Sequence, residues 1–293
     1  MPISLDCIAC LVRQSLEAAR FATEDESLHA IALKQVLDVV RNKGFSVIPP
    51  LVAQEIHHVV QKATGNPDPY ALQKKEANCL MLALRDSLRE RIRRSDDPMQ
   101  FAATLAIAGN SIDYAMRGDW NRDLILQTFE LAIQQPINGN IVSFVEAINE
   151  ARQILYLLDN SGEIVCDQLL IEEIKRFRPD VSLVAVVHGS AILNDATRDD
   201  ARQTGLDQIV PIIDNGNDAA GTVLEQCSAE FMEMFGRSDM IIAKGLANYE
   251  TLIEYDAEQL PQTVCYLFRA KCRFIAQYAG VTLGDLVIRV LNR

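Results

Sequence analysis

The stretch "ARQILYLLDNSGEIVCDQLLIEEIKRF", residues 151–177, decides the reading of the fold. It opens on an apolar run of strand length, breaks into an acid, an amide, a hydroxyl, a glycine and a second acid, and resumes at helical spacing. A strand, a polar turn and a helix in that order are half of a βαβ unit, and the turn lies where open α/β sheets bind ligands. The pattern repeats downstream. "VSLVAVV", "QIVPII", "DMIIA" and "TVCYLF" are further short runs rich in Val, Ile and Leu. Helical segments over 163–177, 197–204, 221–235, 248–254 and 270–279 alternate with them. Strands apolar at nearly every position fit burial on both faces, so the spacing predicts a mostly parallel sheet with helices on both sides.

Upstream the texture differs. "CIACLVRQSLEAARFA", "SLHAIALKQVLDVV", "PPLVAQEIHHVVQKATG" and "ALQKKEANCLMLALRDSLRERIRR" carry apolar residues at helical spacing, with Pro49-Pro50 opening one and "TGNPDPY" supplying a stop and a turn. The expected organisation is therefore an N-terminal helical bundle over 1–140 and a C-terminal Rossmann-like α/β domain over 141–293, joined at "QQPINGNI", 134–141.

The chain has 293 residues, 49% apolar and 23% charged, with a formal charge of −12. That acidity argues against non-specific binding to nucleic acid or to an anionic membrane. No apolar run approaches the ~20 residues of a membrane span, and "MPISLDCIAC" lacks a signal-peptide layout. The expected location is the cytoplasm, and the seven cysteines are expected to be thiols.

The loops after the strands collect polar residues: "DNSGE", "HGSAILNDAT", "DNGNDAAGTV", "KGLANYE" and "FRAKC". Each alone is an ordinary turn composition; together at one sheet edge they describe a site. Asp159, Asn160 and Asp195 would offer two charges and a neutral carbonyl to a hard divalent cation such as Mg²⁺ or Mn²⁺. Lys244 and Lys271, at the ends of the fourth and fifth runs, would offset the charge of a phosphate ester. Backbone donors at the helix start after Ser161-Gly162 could add to this. In "LAIAGNSIDYAM", 105–116, Asn110 and Asp113 share a helix face otherwise built for burial. The functional reading has the helical half closing over the sheet edge and presenting them to the ligand; the bland one ends a helix at Gly109 with Asn110 as cap. No G-x-G-x-x-G occurs, and "GNDAAGTV" misses a P-loop at Thr222 and Val223. His57-His58 reads as surface, and His188 lies near the site. Cys7 and Cys10 share a face with Leu11, so buried thiols stand beside a thiol-bound metal or redox role.

"LLDNSGEIVCD", "GSAILNDAT", "AKGLANYETL", "FRAKC", "AGNSID" and "TGNPDPYALQKKEAN", with the N-terminal "CIAC", resemble the damage-control phosphatases, in particular their prokaryotic branch with an N-terminal C-x-x-C. The resemblance implies a helical domain on a Rossmann-like domain with a divalent metal (Mn²⁺, Mg²⁺, Co²⁺ or Ni²⁺) between them. It implies a metal-dependent phosphatase of small phosphorylated metabolites, such as sugar phosphates or damaged phosphometabolites. The family's metal ligands fall on Asp159, Asn160 and Asp195, and its substrate-contacting K-G-x-x-N on Lys244, Gly245 and Asn248. Its later lysine falls on Lys271, and its G-N-x-x-D pair on Asn110 and Asp113. In the expected mechanism Asp159 attacks phosphorus or activates water, with Glu163 and Asp113 as general-base candidates. The alternative is a non-catalytic sensor of a nucleotide or sugar phosphate.

Overall fold

The computed structural model describes residues 3–43, 46–110 and 121–292. Its first helices are α1 (Leu5–Ala22), α2 (Glu26–Asn42), α3 (Pro49–Thr64), α4 (Ala71–Arg94), α5 (Pro98–Gly109) and α6 (Arg122–Gln134). A short strand β1 (Ile137–Gly139) and helix α7 (Ile141–Glu150) lead into the alternating part. There follow β2 (Gln153–Leu157), α8 (Glu163–Phe177), β3 (Ser182–Val187), α9 (Arg198–Thr204) and β4 (Ile212–Asp214). The chain returns through α10 (Ala229–Arg237), β5 (Met240–Lys244), α11 (Gly245–Leu252), β6 (Thr263–Arg269), α12 (Arg273–Ala279) and β7 (Leu286–Leu291). No helix among the described residues is long and apolar enough to cross a membrane.

The seven strands form one sheet in the order β1-β7-β6-β5-β2-β3-β4. From β6 to β4 every pair is parallel; β7 is antiparallel to β6 and pairs in parallel with β1. Because β2 lies between β3 and β5, the winding reverses at β2, and the crevice outside the carboxyl ends of β2 and β5 is where such sheets bind ligands. Side chains alternate across the sheet as the period of 2 requires. Ile154 and Tyr156 enter a core shared with α4, α5 and α8, while Leu155 and Leu157 enter the core under α10, α11 and α12.

Those faces explain why the boundary expected near 140 does not coincide with a break in packing. Leu84 and Leu88 of α4, Leu105 of α5 and Phe129 of α6 belong to the same buried cluster as Ile154 and Ile164. Strand β1 joins the sheet from the N-terminal side of that point. Helices α1, α2 and α3 form their own cluster around Val36, Ile56 and Val60. They sit on the loops after β3 and β4, with Gln61 Nε2 on the Ala191 carbonyl at 3.4 Å and Gln54 Nε2 on Gln226 Oε1 at 2.9 Å.

Three expectations need correction. The helix read over 221–235 is a turn at Leu224–Gln226 followed by α10, which starts only where the Ser228 hydroxyl accepts from Phe231 N. His57 is buried and stacked on Tyr70, whereas His58 is exposed and meets Asp218 at 2.5 Å. Cys10 is exposed and Cys7 half-buried, so this pair is not a buried one.

Candidate active site

The site grows from the switch point. Residue 159 is the second beyond the end of β2, and Lys244 is the last of the neighbouring β5. Asp159 Oδ2 accepts from the Asn110 amide at 2.5 Å and the Asn160 amide at 2.8 Å. Glu163, first residue of α8, offers Oε2 to the same two amides at 2.7 and 3.1 Å. Its Oε1 takes Lys244 Nζ at 2.5 Å. Five of the expected residues, Asn110, Asp159, Asn160, Glu163 and Lys244, thus converge into one buried network. Asn110 reaches it because α5 stops at Gly109, so the cap and the site reading describe the same residue.

Glycine 245 makes the approach possible. It follows Lys244 with φ +76°, and a Cβ there would lie 1.8 Å from Asp159 Oδ2. Asn248, one turn into α11, braces the strand ends: its amide donates to the Leu158 carbonyl at 3.1 Å and the Lys244 carbonyl at 2.8 Å, and its Oδ1 accepts from Thr222 Oγ1. Both of its donors are therefore engaged, which leaves its expected substrate contact without an N–H.

Asp195 arrives from the loop after β3, held by an antiparallel bridge between Asn160 and Asp195 and by Ala196 N on the Asp159 carbonyl at 2.8 Å. Its carboxylate lies 3.2 Å from His188 Nε2. Burial holds His188 down at about 4, a neutral imidazole. Leu193, two residues before Asp195 and strained at φ +46°, packs its side chain against the α1–α3 cluster, so those helices help to set its position. Lys271 is exposed beyond β6, and its charge acts on the Asp159 carboxyl. Asp113 lies outside the described residues. Of the amides at the start of α8, Ile164 N donates to the Asn160 carbonyl and Val165 N to the Gly162 carbonyl, both at 3.1 Å, while just before them Ser161 N donates to the Asn194 carbonyl at 2.9 Å and Gly162 N to Asn78 Oδ1 at 2.7 Å.

The electrostatics ask for a cation. Burial, then the nearby Glu163, pushes Asp159 up to about 7 despite the lysines. Asn110 Oδ1 is buried without a hydrogen-bond partner. Among the described residues no three His, Cys, Asp or Glu side chains are grouped to hold a metal ion, so an ion here would need amide oxygens as well. Which end of an Asn amide faces the carboxylates is an assignment, and a half-turn of either amide presents oxygen instead of N–H. Two carboxylates with amide oxygens and no thiolate form the donor set of a hard divalent ion, and the residues fit one.

The damage-control phosphatase ARMT1-like domain matches residues 3–287. The chain belongs to that family. An uncharacterised protein of Methanocaldococcus jannaschii is 36% identical over 98% of this chain and 94% of its own length. A damage-control phosphatase of Archaeoglobus fulgidus is 33% identical across the whole of both chains. The crystal structure of a family member from Pyrococcus horikoshii superposes with a TM-score of 0.88 at 28% identity, covering 98% of each chain. That likeness extends over both the helical half and the sheet of this damage-control phosphatase family member.

Residues that no reading assigned a role complete the family member's site. Asp167 and Tyr156 lie behind Lys244, with Tyr156 OH on Asp167 Oδ1 at 2.7 Å and Lys244 Nζ 2.8 Å from the same oxygen. Asn78 of α4 and Asp200 of α9 hold the turn. The signal for Asp167 was present: it stands four after Glu163, on the same face of α8.

Proposed function

We propose that this protein is a divalent-metal-dependent phosphatase acting on small phosphorylated metabolites. The observation that carries the reading is a buried cluster of carboxylates and amides at the sheet's switch point, where burial and the neighbouring Glu163 push the Asp159 carboxyl up to about 7. The names of the relatives support phosphate release as the reaction.

Asp159, Asn160 and Asp195 would hold the ion. When bound, it supplies Lewis-acid charge for phosphoryl oxygens. Lys271, exposed beyond β6, adds positive charge that acts on Asp159. Asn110 bridges Asp159 and Glu163 and so fixes the distance between the two carboxylates. Glu163 is held at both oxygens, which orients it for proton transfer without letting it swing. Burial excludes bulk water, so the fixed dipoles act at low dielectric. Monoester hydrolysis needs up to ~10²¹-fold acceleration, most of which must come from such positioning and charge neutralisation.

The test is phosphate release from p-nitrophenyl phosphate and a panel of sugar phosphates. Protein stripped of metal is reloaded with Mg²⁺, Mn²⁺, Co²⁺ or Ni²⁺ beside an Asp159→Ala control. Metal-dependent turnover that disappears in the control is expected. Folded, metal-loaded protein that binds a phosphosugar yet releases no phosphate would replace this reading with that of a sensor.

A further inference from the structure

Lys244 has a peculiarity that its place at a strand end did not announce. Its ammonium is completely buried and already has three acceptors: Glu163 Oε1 at 2.5 Å, Asp167 Oδ1 at 2.8 Å and the Ala106 carbonyl at 2.9 Å. An ammonium has three protons. None is left for a substrate oxygen.

We propose that Asp167 is a positioning residue of this site, holding Lys244 so that Lys244 fixes Glu163 and, through it, the amides of Asn110 and Asn160. The proposal rests on the phosphatase reading above for its catalytic consequence. The chain of contacts is continuous. Tyr156, pointing from the middle of β2, donates its hydroxyl to Asp167 Oδ1 at 2.7 Å. Asp167 shares that oxygen with Lys244. Lys244 grips one oxygen of Glu163, and the other oxygen receives both asparagines at 2.7 and 3.1 Å. Glu163 and Asp167 are four apart on α8, so one face of one helix presents both carboxylates to one ammonium.

The third contact of Lys244 reaches the helical half. Asn110 N bonds to the Ile107 carbonyl at 3.2 Å, and Lys244 bonds to the carbonyl of Ala106 in the same last turn of α5. The same ammonium therefore sets the end of α5, which carries Asn110, and the start of α8, which carries Glu163. The ammonium is anchored between the two side chains, 2.5 Å from Glu163 Oε1 and 2.8 Å from Asp167 Oδ1. In Asp167→Asn the ammonium loses its Asp167 anchor, and Glu163 Oε1 loses the fixed partner that orients its other oxygen towards the two amides. Metal ligands are commonly oriented by partners one layer out, and such partners control affinity as well as rate.

The test uses the full chain in four forms: Asp167→Asn, Lys244→Met, Glu163→Gln, and the double Lys244→Met/Glu163→Gln. Steady-state kinetics are read on p-nitrophenyl phosphate at saturating Mn²⁺, Mn²⁺ affinity is read by EPR on metal-stripped protein, and melting confirms the fold. Asp167→Asn, nearly isosteric, is expected to lower kcat by about 10- to 100-fold and to weaken Mn²⁺ binding, with KM close to wild type. The effects of Lys244→Met and Glu163→Gln should fail to multiply in the double variant, since each breaks the same chain. Should Lys244→Met not fold, Tyr156→Phe replaces it and should move kcat and Mn²⁺ affinity the same way by less. Asp167→Asn with wild-type kcat and Mn²⁺ affinity overturns the proposal. So does a Lys244→Met defect confined to KM that multiplies with Glu163→Gln, the mark of direct substrate contact. If the wild type releases no phosphate with any metal, the phosphatase reading falls, and the Mn²⁺ titration of Asp167→Asn still decides the positioning role.

Discussion

Gly245 and Gly280 separate two reasons for needing glycine. Both take positive φ, +76° and +68°. Around Gly280 nothing lies within 4 Å of a Cβ, whereas at Gly245 the Cβ would strike Asp159 Oδ2 at 1.8 Å. Gly280→Ala should therefore cost only the backbone strain, about 1–3 kcal/mol, and leave phosphate release intact. Gly245→Ala carries the same strain and must also push Asp159 aside, so it should lose more stability and nearly all turnover. Urea midpoints at constant slope and the p-nitrophenyl phosphate assay measure the two losses. Equal activity in the two variants would mean that Asp159 has room to move and that the close approach is unimportant.

At the level of elements, the turn between β2 and α8 is held from outside by α4. Asn78 accepts from Gly162 N at 2.7 Å and donates to Asp200 Oδ1 at 2.8 Å and Gln203 Oε1 at 2.9 Å. Asp200 Oδ1 also receives Ser161 Oγ at 2.9 Å, and Oδ2 receives Thr197 N and Oγ1. Asn78→Ala leaves the Gly162 N–H without its acceptor in a buried turn, at about 1–3 kcal/mol for a group so stranded. Asn78→Asp keeps the acceptor but sets a carboxylate against Asp200, and it should be no more stable than the alanine variant in urea. Much of this architecture could be read from the chain. Strands β2, β3, β5 and β6 were legible because burial on both faces makes them apolar throughout. Strand β1 was not, since "ING" has the composition of a turn and is a strand only because β7 pairs with it. Lys244 could be placed at a strand end, but its saturation could not, because Asp167 and Ala106 reach it from two helices distant in sequence. The role of Asn78 was not legible, since a polar residue on a helix reveals nothing about what the neighbouring helix offers it.

The whole molecule carries 40 acidic and 28 basic residues, yet its pH response should be governed by a few buried groups and the half-buried Glu250. Burial pushes Asp159 and Asp167 from 3.8 to about 7, and burial together with Asp159 pushes Glu250 from 4.5 to about 8. Each then keeps a proton in the folded state that it loses in the unfolded chain. The stability this contributes is present at low pH and is lost as pH rises through the folded value. His57 and His188 act oppositely: burial lowers both from 6.5 to about 4, so folding gains stability as pH rises between those values and nothing above them. The two trends compete below about 6.5, and above it only the carboxyls titrate. Metal-free protein should accordingly melt lower at pH 8 than at pH 6.5, and Asp167→Asn should shrink that fall by removing one of its three sources. A divalent ion competes with the proton on Asp159, so saturating Mn²⁺ should raise the melting temperature more at pH 8 than at pH 6.5. Melting curves in EDTA and in Mn²⁺ at the two pH values decide the matter. A melting temperature that climbs from pH 6.5 to 8 without metal would show that the carboxyls are already compensated, and the case for a cation between them would lose its electrostatic ground.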